Sequence, residues 1–312
     1  RVLDDLGRLA ERIASHDCRL LAQIQDRGRG NYSRARVDYA YGPSPLPDEE
    51  SGAVPHPLST EEVAEMISRF AATALRLQTA GFDGVEISAG HGHIFHQFLS
   101  PHSNHREDRY GGDFAGRSRL LKELIAAIRT ACGRRFVLGL KLPAEDGVAG
   151  GIDLAEARRI TEALADPETI DFISFAWGSQ SNSLHWHVPD GHWPRTPYAE
   201  RIADLRRSAN GVPVMALGRI VDPNEAEAIL ANDQADLVGI GRAMITDPAW
   251  TRKALAGRGH AIRPCVSGNT CWGAVATPSA LVCDNNPALA TAEEIDGVPA
   301  TADARKRVLV IG

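Results

Sequence analysis

The run Gly81–Gly112, GFDGVEISAGHGHIFHQFLSPHSNHREDRYGG, decides how this chain is read. Asp83 to Ile87 has the length and β-branched content of a buried strand. Ser88, Gly90 and Gly92 then let the backbone turn tightly, so that His91 and His93 project from one spot. Five of the eleven histidines fall between His91 and His105. Imidazole is the side chain most readily tuned for proton transfer near neutral pH, so such a cluster at a strand end is a candidate active site. Hydrogen-bonded structural histidines would leave the same composition, and composition alone does not separate the two.

Upstream of this run, Ser59 and Glu62 make a capping box. Val63, Ile67, Phe70, Ala74 and Leu77 then form one apolar helical stripe, which Gly81 stops. Further back, Val2 to Ser15 is apolar on one helical face, and Cys18 to Ile24 reads as a buried strand. Residues 25–58 hold many Gly, Pro and charged positions with little periodicity; loops of that size are usually functional, and this one is expected to border the site. Downstream, a helix runs from the cap Asp113 through Ala131, and a strand covers Phe136–Leu142. Asp153 with Glu156 caps the next helix, before a strand at Ile170–Ala176. A helix at Tyr198–Ser208, a strand at Val212–Leu217 and a helix opened by Asp222 and Pro223 follow. The last strand is Asp236–Gly241, and Asp247 with Pro248 begins its helix.

Strands alternating with helices imply an α/β fold with a parallel sheet and crossover helices. Six strands are two short of a closed (β/α)8 barrel. The polar clusters Gln23–Arg29, Ser88–His96, Lys141–Asp146, Trp177–His192, Gly218–Arg219 and Gly241–Arg242 each follow a strand, the face on which barrels build active sites. A doubly wound sheet is the rival, but its Gly-rich loop after the first strand is absent. The last two strands end in LGRI and IGRA, where glycine lets backbone amides approach an anion and arginine adds charge. A phosphate site after the last two strands is a recurring barrel arrangement.

The hydrophobic fraction of 43% and charged fraction of 24% are ordinary for a globular protein. A net charge of −6 without a basic stripe argues against nucleic acid as a partner. No apolar run approaches the ~18 residues of a membrane span and no signal peptide opens the chain, so the expectation is a cytoplasmic protein without a membrane partner.

The run QFLSPHSNHREDRYGGDFAGRSR at residues 97–119, with GFDGVEI before it and the paired GRI and GRA after, resembles the old yellow enzyme superfamily of FMN-dependent oxidoreductases. Within it the chain is similar to the branch of 2,4-dienoyl-CoA reductase, trimethylamine dehydrogenase and the N-methyl amino acid demethylases. The resemblance implies a TIM barrel lacking its first two strands here, with FMN at its mouth and a small-molecule substrate. It places Gln23 against the flavin pyrimidine ring and Lys141, in place of an arginine, near flavin N1. Gly218, Arg219, Gly241 and Arg242 would hold the phosphate.

Where enoate-reducing relatives carry His, then His or Asn, then a proton-donating Tyr, this chain has Ser88, His91 and His93. A phenol of pKa ~10 is a reluctant acid, whereas imidazole near ~6.5 accepts a proton at pH 7. The replacement tilts the expected chemistry from carbanion protonation toward oxidative demethylation of an N-methylated amine. NAD(P)H-dependent enoate or dienoyl-CoA reduction is the alternative. Trp177, Trp186 and Trp193 either hold a methylated ammonium by cation–π attraction or simply pack their loop. His91, His93, His185, His187 and His192 instead allow a zinc-dependent barrel hydrolase.

Cys265, Cys271 and Cys283 match three of the four iron–sulfur ligands of the family, and Gly268 takes the place of the second cysteine. Clusters normally use four thiolates, so the site is empty, completed by a non-cysteine ligand, or a three-iron form. KRVLVIG at 306–312 resembles the start of an FAD- or NAD(P)-binding domain. With Arg1 rather than Met at the start, it suggests a piece of something longer. The expected division is 1–260 for the FMN-binding barrel, 261–305 for the cysteine segment and linker, and 306–312 for the next domain. The sequence leaves the electron donor or acceptor unnamed, and a homo-oligomer is compatible with it.

Overall fold

The computed structural model describes residues 2–30, 40–179, 182–275, 277, 280–291, 294 and 309. The run 306–312 therefore lies outside the described residues, Leu309 excepted. The chain divides into two compact units, residues 1–220 with 224–239, and residues 221–223 with 240–312.

In the first unit the elements follow the predicted alternation. Helix α1 (Val2–Ala14) leads to strand β1 (Leu21–Ile24), and two short strands, β2 (Tyr41–Gly42) and β3 (His56–Pro57), pair within the long loop. Then come α2 (Thr60–Thr79), β4 (Gly84–Ser88), α3 (Ile94–Leu99), α4 (Phe114–Cys132), β5 (Val137–Glu145), α5 (Leu154–Leu164) and β6 (Phe172–Trp177). A short α6 (Leu184–His187), α7 (Ala199–Arg206), β7 (Val214–Ala216), α8 (Pro223–Ala231) and β8 (Leu237–Val238) complete it. The main sheet is parallel throughout, in the order β1-β4-β5-β6-β7-β8, the successive strand–helix units of a TIM-barrel-type α/β fold.

The caps that the sequence proposes are made. Ser59 accepts from the Glu62 amide while Glu62 reaches back to the Ser59 amide, and Asp113 and Asp153 accept from Gly116 and Glu156. Val63, Ile67, Ala71, Ala74 and Leu77 bury the inner face of α2, and every residue of β6 is buried, as expected for a strand covered on both faces.

A repeated device ties the entry ends of the strands together. Asp83, Asp171 and Asp236 each stand just before a strand, and each donates its own amide to a neighbouring strand's carbonyl, at Leu20, Leu138 and Val214. The carboxylate Oδ2 of each then accepts the amide of that same residue at 2.8 Å. Arg129 and Arg134 clamp Asp171, and Arg206 clamps Asp236. Burial alone would raise the Asp171 carboxyl, but hydrogen bonds from Arg134, Leu138 and Arg129 outweigh it and hold the group below its usual range. Asp236 is held low mainly by Arg206. A depressed folded-state pKa stabilises above the unfolded value of ~3.9 and loses that stabilisation as pH falls through it. Asp171→Ala is expected to cost about 2 kcal/mol at neutral pH, because the Leu138 amide and two guanidiniums lose their acceptor. Urea unfolding of the variant checks this, and an unchanged midpoint would mean that these bonds add nothing to stability.

The second unit holds α9 (Arg242–Thr246), α10 (Trp250–Leu255) and α11 (Thr270–Val275). It takes up the chain from Ile240. Within it the Asp247 carboxylate gathers the Ala249 and Arg263 amides and the buried Lys253 ammonium, binding the segment after 240 to the segment after 260.

Candidate active site

The first unit's site forms where β1, β4, β5 and β6 end. Parallel register sets Gln23 beside Glu86, Ser88 beside Lys141, and Lys141 beside Ser174. Glu86 gathers three of these: Gln23 Nε2 donates to it at 2.6 Å, Ser174 Oγ at 2.7 Å, and Lys141 Nζ lies 3.1 Å away. Lys141 and Glu86 are only 15% and 13% exposed, so each ion is desolvated and depends on the other. The sequence proposed Gln23 and Lys141 but not Glu86 or Ser174. A carboxylate inside the otherwise apolar run GVEIS was the available signal, because an acid in a buried strand requires partners.

Past Ser88 the chain turns through His91, a left-handed residue at φ 60°, which bridges to Ser179 beyond β6. Its ring stacks on His187 with centroids 3.6 Å apart and lies 6.4 Å from the His93 ring. His93 precedes α3 and is 7% exposed. Next on that helix, His96 meets the buried Asp146 carboxylate at 3.4 Å, and Asp146 also accepts the Val148 and Ile152 amides. The long loop borders the site as expected, since the Ile94 amide donates to the Asp26 carbonyl and Gln97 Nε2 to that of Arg27.

Burial, then the neighbouring His187 and Lys141, push the His91 imidazolium well below its usual range. Burial, then the Arg27 charge, lowers His93 to about 4. Both rings are therefore neutral at pH 7. This corrects the expectation of an imidazole near ~6.5 accepting a proton there: desolvation and adjacent cations make these rings weak bases.

Trp177 is 3% exposed, stacks on Tyr198 at 4.3 Å, and has the Arg201 guanidinium 5.8 Å from its ring. The cation beside it is the protein's own. Trp186 and Trp193 meet edge to face, which is loop packing. His91 and His187 stack face to face, and among the described residues no group of three or more metal-ligating side chains could hold one ion.

Gly218 follows β7 with φ 116°, and a Cβ there would fall 2.7 Å from the Tyr198 ring. Only glycine fits that turn. Arg219 donates to the carbonyl of Trp193. In the second unit, Gly241 precedes α9, and Arg242 donates to Asn269 and lines a cavity with Cys265, Gly268, Cys271, Cys283 and Asp284. The three cysteines of the sequence motif are thus brought together, whereas Cys18 is exposed and Cys132 buried elsewhere.

A sequence profile for the NADH:flavin oxidoreductase / NADH oxidase family matches residues 3–260. The chain belongs to that family. Among its relatives, a metal reductase of Desulforamulus reducens is 35% identical over 86% of this chain and 40% of its own length. An N,N-dimethylglycine/sarcosine dehydrogenase of Chromohalobacter salexigens is 30% identical over the whole of this chain and 45% of its own. The solved histamine dehydrogenase from Rhizobium sp. 4-9 superimposes with a TM-score of 0.81 at 25% identity, covering 91% of this chain and 41% of that one. This flavin oxidoreductase chain therefore spans less than half the length of each. Among the described residues, no helix is long and apolar enough to cross a membrane.

Ser88 Oγ, His91 Nδ1 and His96 Nδ1 are buried and make no hydrogen bond to protein. Such atoms cost about 1–3 kcal/mol each unless something polar meets them, which fits a polar group at this mouth.

Proposed function

We propose that this chain binds FMN at the exit ends of its strands and oxidises an N-methylated amine or amino acid. Hydride would leave the N-methyl carbon with its electron pair, and the resulting iminium ion would take up water and lose a proton to release formaldehyde and the demethylated amine. Bound FMN supplies the two-electron acceptor. Gln23 and Lys141 are assigned to the pyrimidine side of the ring, with Glu86 and Ser174 fixing their positions. Gly218 and Arg219, after β7 of the first unit, are assigned to the phosphate.

The observation that carries the proposal is the pair of buried, neutral imidazoles beside Lys141, where an enoate reductase would need a proton donor. Amine oxidation requires the free amine, because an ammonium nitrogen has no lone pair to stabilise the developing imine. The desolvation and cationic field that keep His91 and His93 neutral also disfavour an ammonium in the same space. Neutral imidazoles and Ser88 can then orient the amine by hydrogen bonds without protonating it. The dimethylglycine/sarcosine dehydrogenase among the relatives supports this substrate class.

The test is anaerobic mixing of the FMN-loaded chain with N-methyl amino acids, reading bleaching of the flavin absorbance and release of formaldehyde. Bleaching with stoichiometric formaldehyde is the expected result. Brisk NADPH-dependent reduction of an enoate, without bleaching by any amine, would sink the proposal and favour the reductase alternative.

A further inference from the structure

The proposed oxidation consumes a free amine, yet the substrate arrives as an ammonium. An aliphatic amine titrates near ~10.4, so at pH 7 fewer than about one molecule in a thousand is free. Burial makes His91 and His93 weak bases, and neither is suited to take that proton. His96 is placed differently. It lies three residues after His93, on α3, and is 4% exposed. Its Nε2 faces the Asp146 carboxylate at 3.4 Å. Asp146, in the exit turn of β5, is buried as well and is anchored by the Val148 amide at 2.9 Å and the Ile152 amide at 2.8 Å. Burial alone would raise that carboxyl, but His96 and the two amides outweigh it and hold the group below its usual range. A carboxylate opposite Nε2 favours the hydrogen there and leaves the lone pair on Nδ1. That Nδ1 is buried and makes no hydrogen bond to protein.

We infer that His96, backed by Asp146, is the group that takes the proton from the substrate ammonium. The inference rests on the amine-oxidation reading and adds to it the step that prepares the amine. The ammonium N–H bond breaks with its electron pair left on the substrate nitrogen. The lone pair of His96 Nδ1 forms the new N–H bond, and the positive charge passes to a ring that has a carboxylate at its other nitrogen. The arrangement is that of an imidazole base oriented by a buried carboxylate. The other titratable and charged groups around it are His91 after β4, His93 on its own helix, Lys141 of β5, Asp26 and Arg27 of the long loop, and His187 of α6. Lys141 is answered by Glu86 at 3.1 Å, whereas Asp146 answers His96. The cationic field that disfavours an ammonium near His91 and His93 thus has a place to send the proton.

The experiment is anaerobic mixing of the FMN-loaded chain with sarcosine, reading the rate of flavin bleaching across pH 6.5 to 9.5 for wild type, His96→Gln and Asp146→Asn. The glutamine amide can still donate to Asp146 but takes up no proton. His96→Gln is expected to be about 100-fold slower than wild type at pH 7, with the gap closing by about tenfold per pH unit as water supplies the free amine. Asp146→Asn should show the same trend with a smaller gap. FMN titration and urea midpoints of each variant establish that it is folded and loaded. A readout apart from turnover is nitrogen-15 resonance of the histidine-labelled, flavin-free chain, in which the signal missing from His96→Gln should carry its hydrogen on Nε2. A gap of constant size at every pH would reduce His96 to a structural residue, and a profile matching wild type would mean that it takes no proton. A hydrogen found on Nδ1 would overturn the assignment equally. A wild-type chain that no N-methyl amino acid bleaches at any pH would overturn the amine-oxidation reading itself, and this step with it.

Discussion

Acidification from pH 7 to pH 4 is expected to remove about 3 kcal/mol of folding stability through His93 alone. The ring titrates at about 4 in the fold, because burial and then the Arg27 charge oppose protonation. In the unfolded chain it titrates near the free imidazole value of ~6.5. Between those values the unfolded state binds the proton and the folded state does not, so stability present above pH 6.5 drains away as pH falls toward 4. His91 is displaced in the same direction and steepens the same interval. The Asp171 and Asp236 carboxyls act in a different window, because their stabilisation is lost only below the ordinary carboxylate range. Urea midpoints at pH 7, 5.5 and 4 for wild type and His93→Gln separate the contributions. The variant should lose the part of the slope between 6.5 and 4 that His93 supplies and keep the part that His91 supplies. Parallel curves for the two proteins would mean that His93 is not held neutral by the fold.

Lys141→Met is expected to cost about 3 kcal/mol or more at neutral pH, since removing one member of a buried ion pair leaves its partner uncompensated. The abandoned group would be Glu86, 13% exposed and answered only by Gln23 and Ser174. Glu86→Gln with Lys141→Met should recover most of the loss, because amide and thioether carry no charge to strand. A double-mutant cycle in urea reads the coupling directly. If the two single losses simply add in the double variant, the pair is not a unit and Lys141 stands by itself. The double variant is also expected to bind FMN more weakly than wild type, read by fluorescence titration, because the cation assigned to the flavin is gone even when stability is restored.

Much of this architecture is legible in the sequence because its signals are local. Ser59 with Glu62, Asp113 and Asp153 announce helix starts within three residues of themselves, and each cap is made as spelled. The six strand positions follow from apolar runs bounded by glycine and acid, although β7 and β8 are shorter than those runs. The missing features are pairings between distant residues. Asp146 and His96, His187 and His91, and Glu86 with its three partners are separated by dozens of positions, and only register brings them together. Titration was misjudged for the same reason. An imidazole's free pKa is a property of the residue, whereas its displacement at His91 and His93 depends on burial and on Arg27 and Lys141 arriving from other strands and loops. Asp284 and Gly268 belong to this class as well, since a Cβ at 268 would fall 2.7 Å from a carboxylate oxygen sixteen positions further along the chain.

The aspartates at the strand entries carry an implication for how such a protein changes over time. Asp83, Asp171 and Asp236 fasten neighbouring strands through backbone groups, and none of those bonds involves the histidine-bearing exit loops. Assembly and chemistry are thereby assigned to opposite ends of the same strands. Exit-loop residues outside the buried Glu86–Lys141 pair can be exchanged without touching the bonds that register the sheet at its entry end. A lineage built this way can vary those loops while the strands stay aligned from the far end.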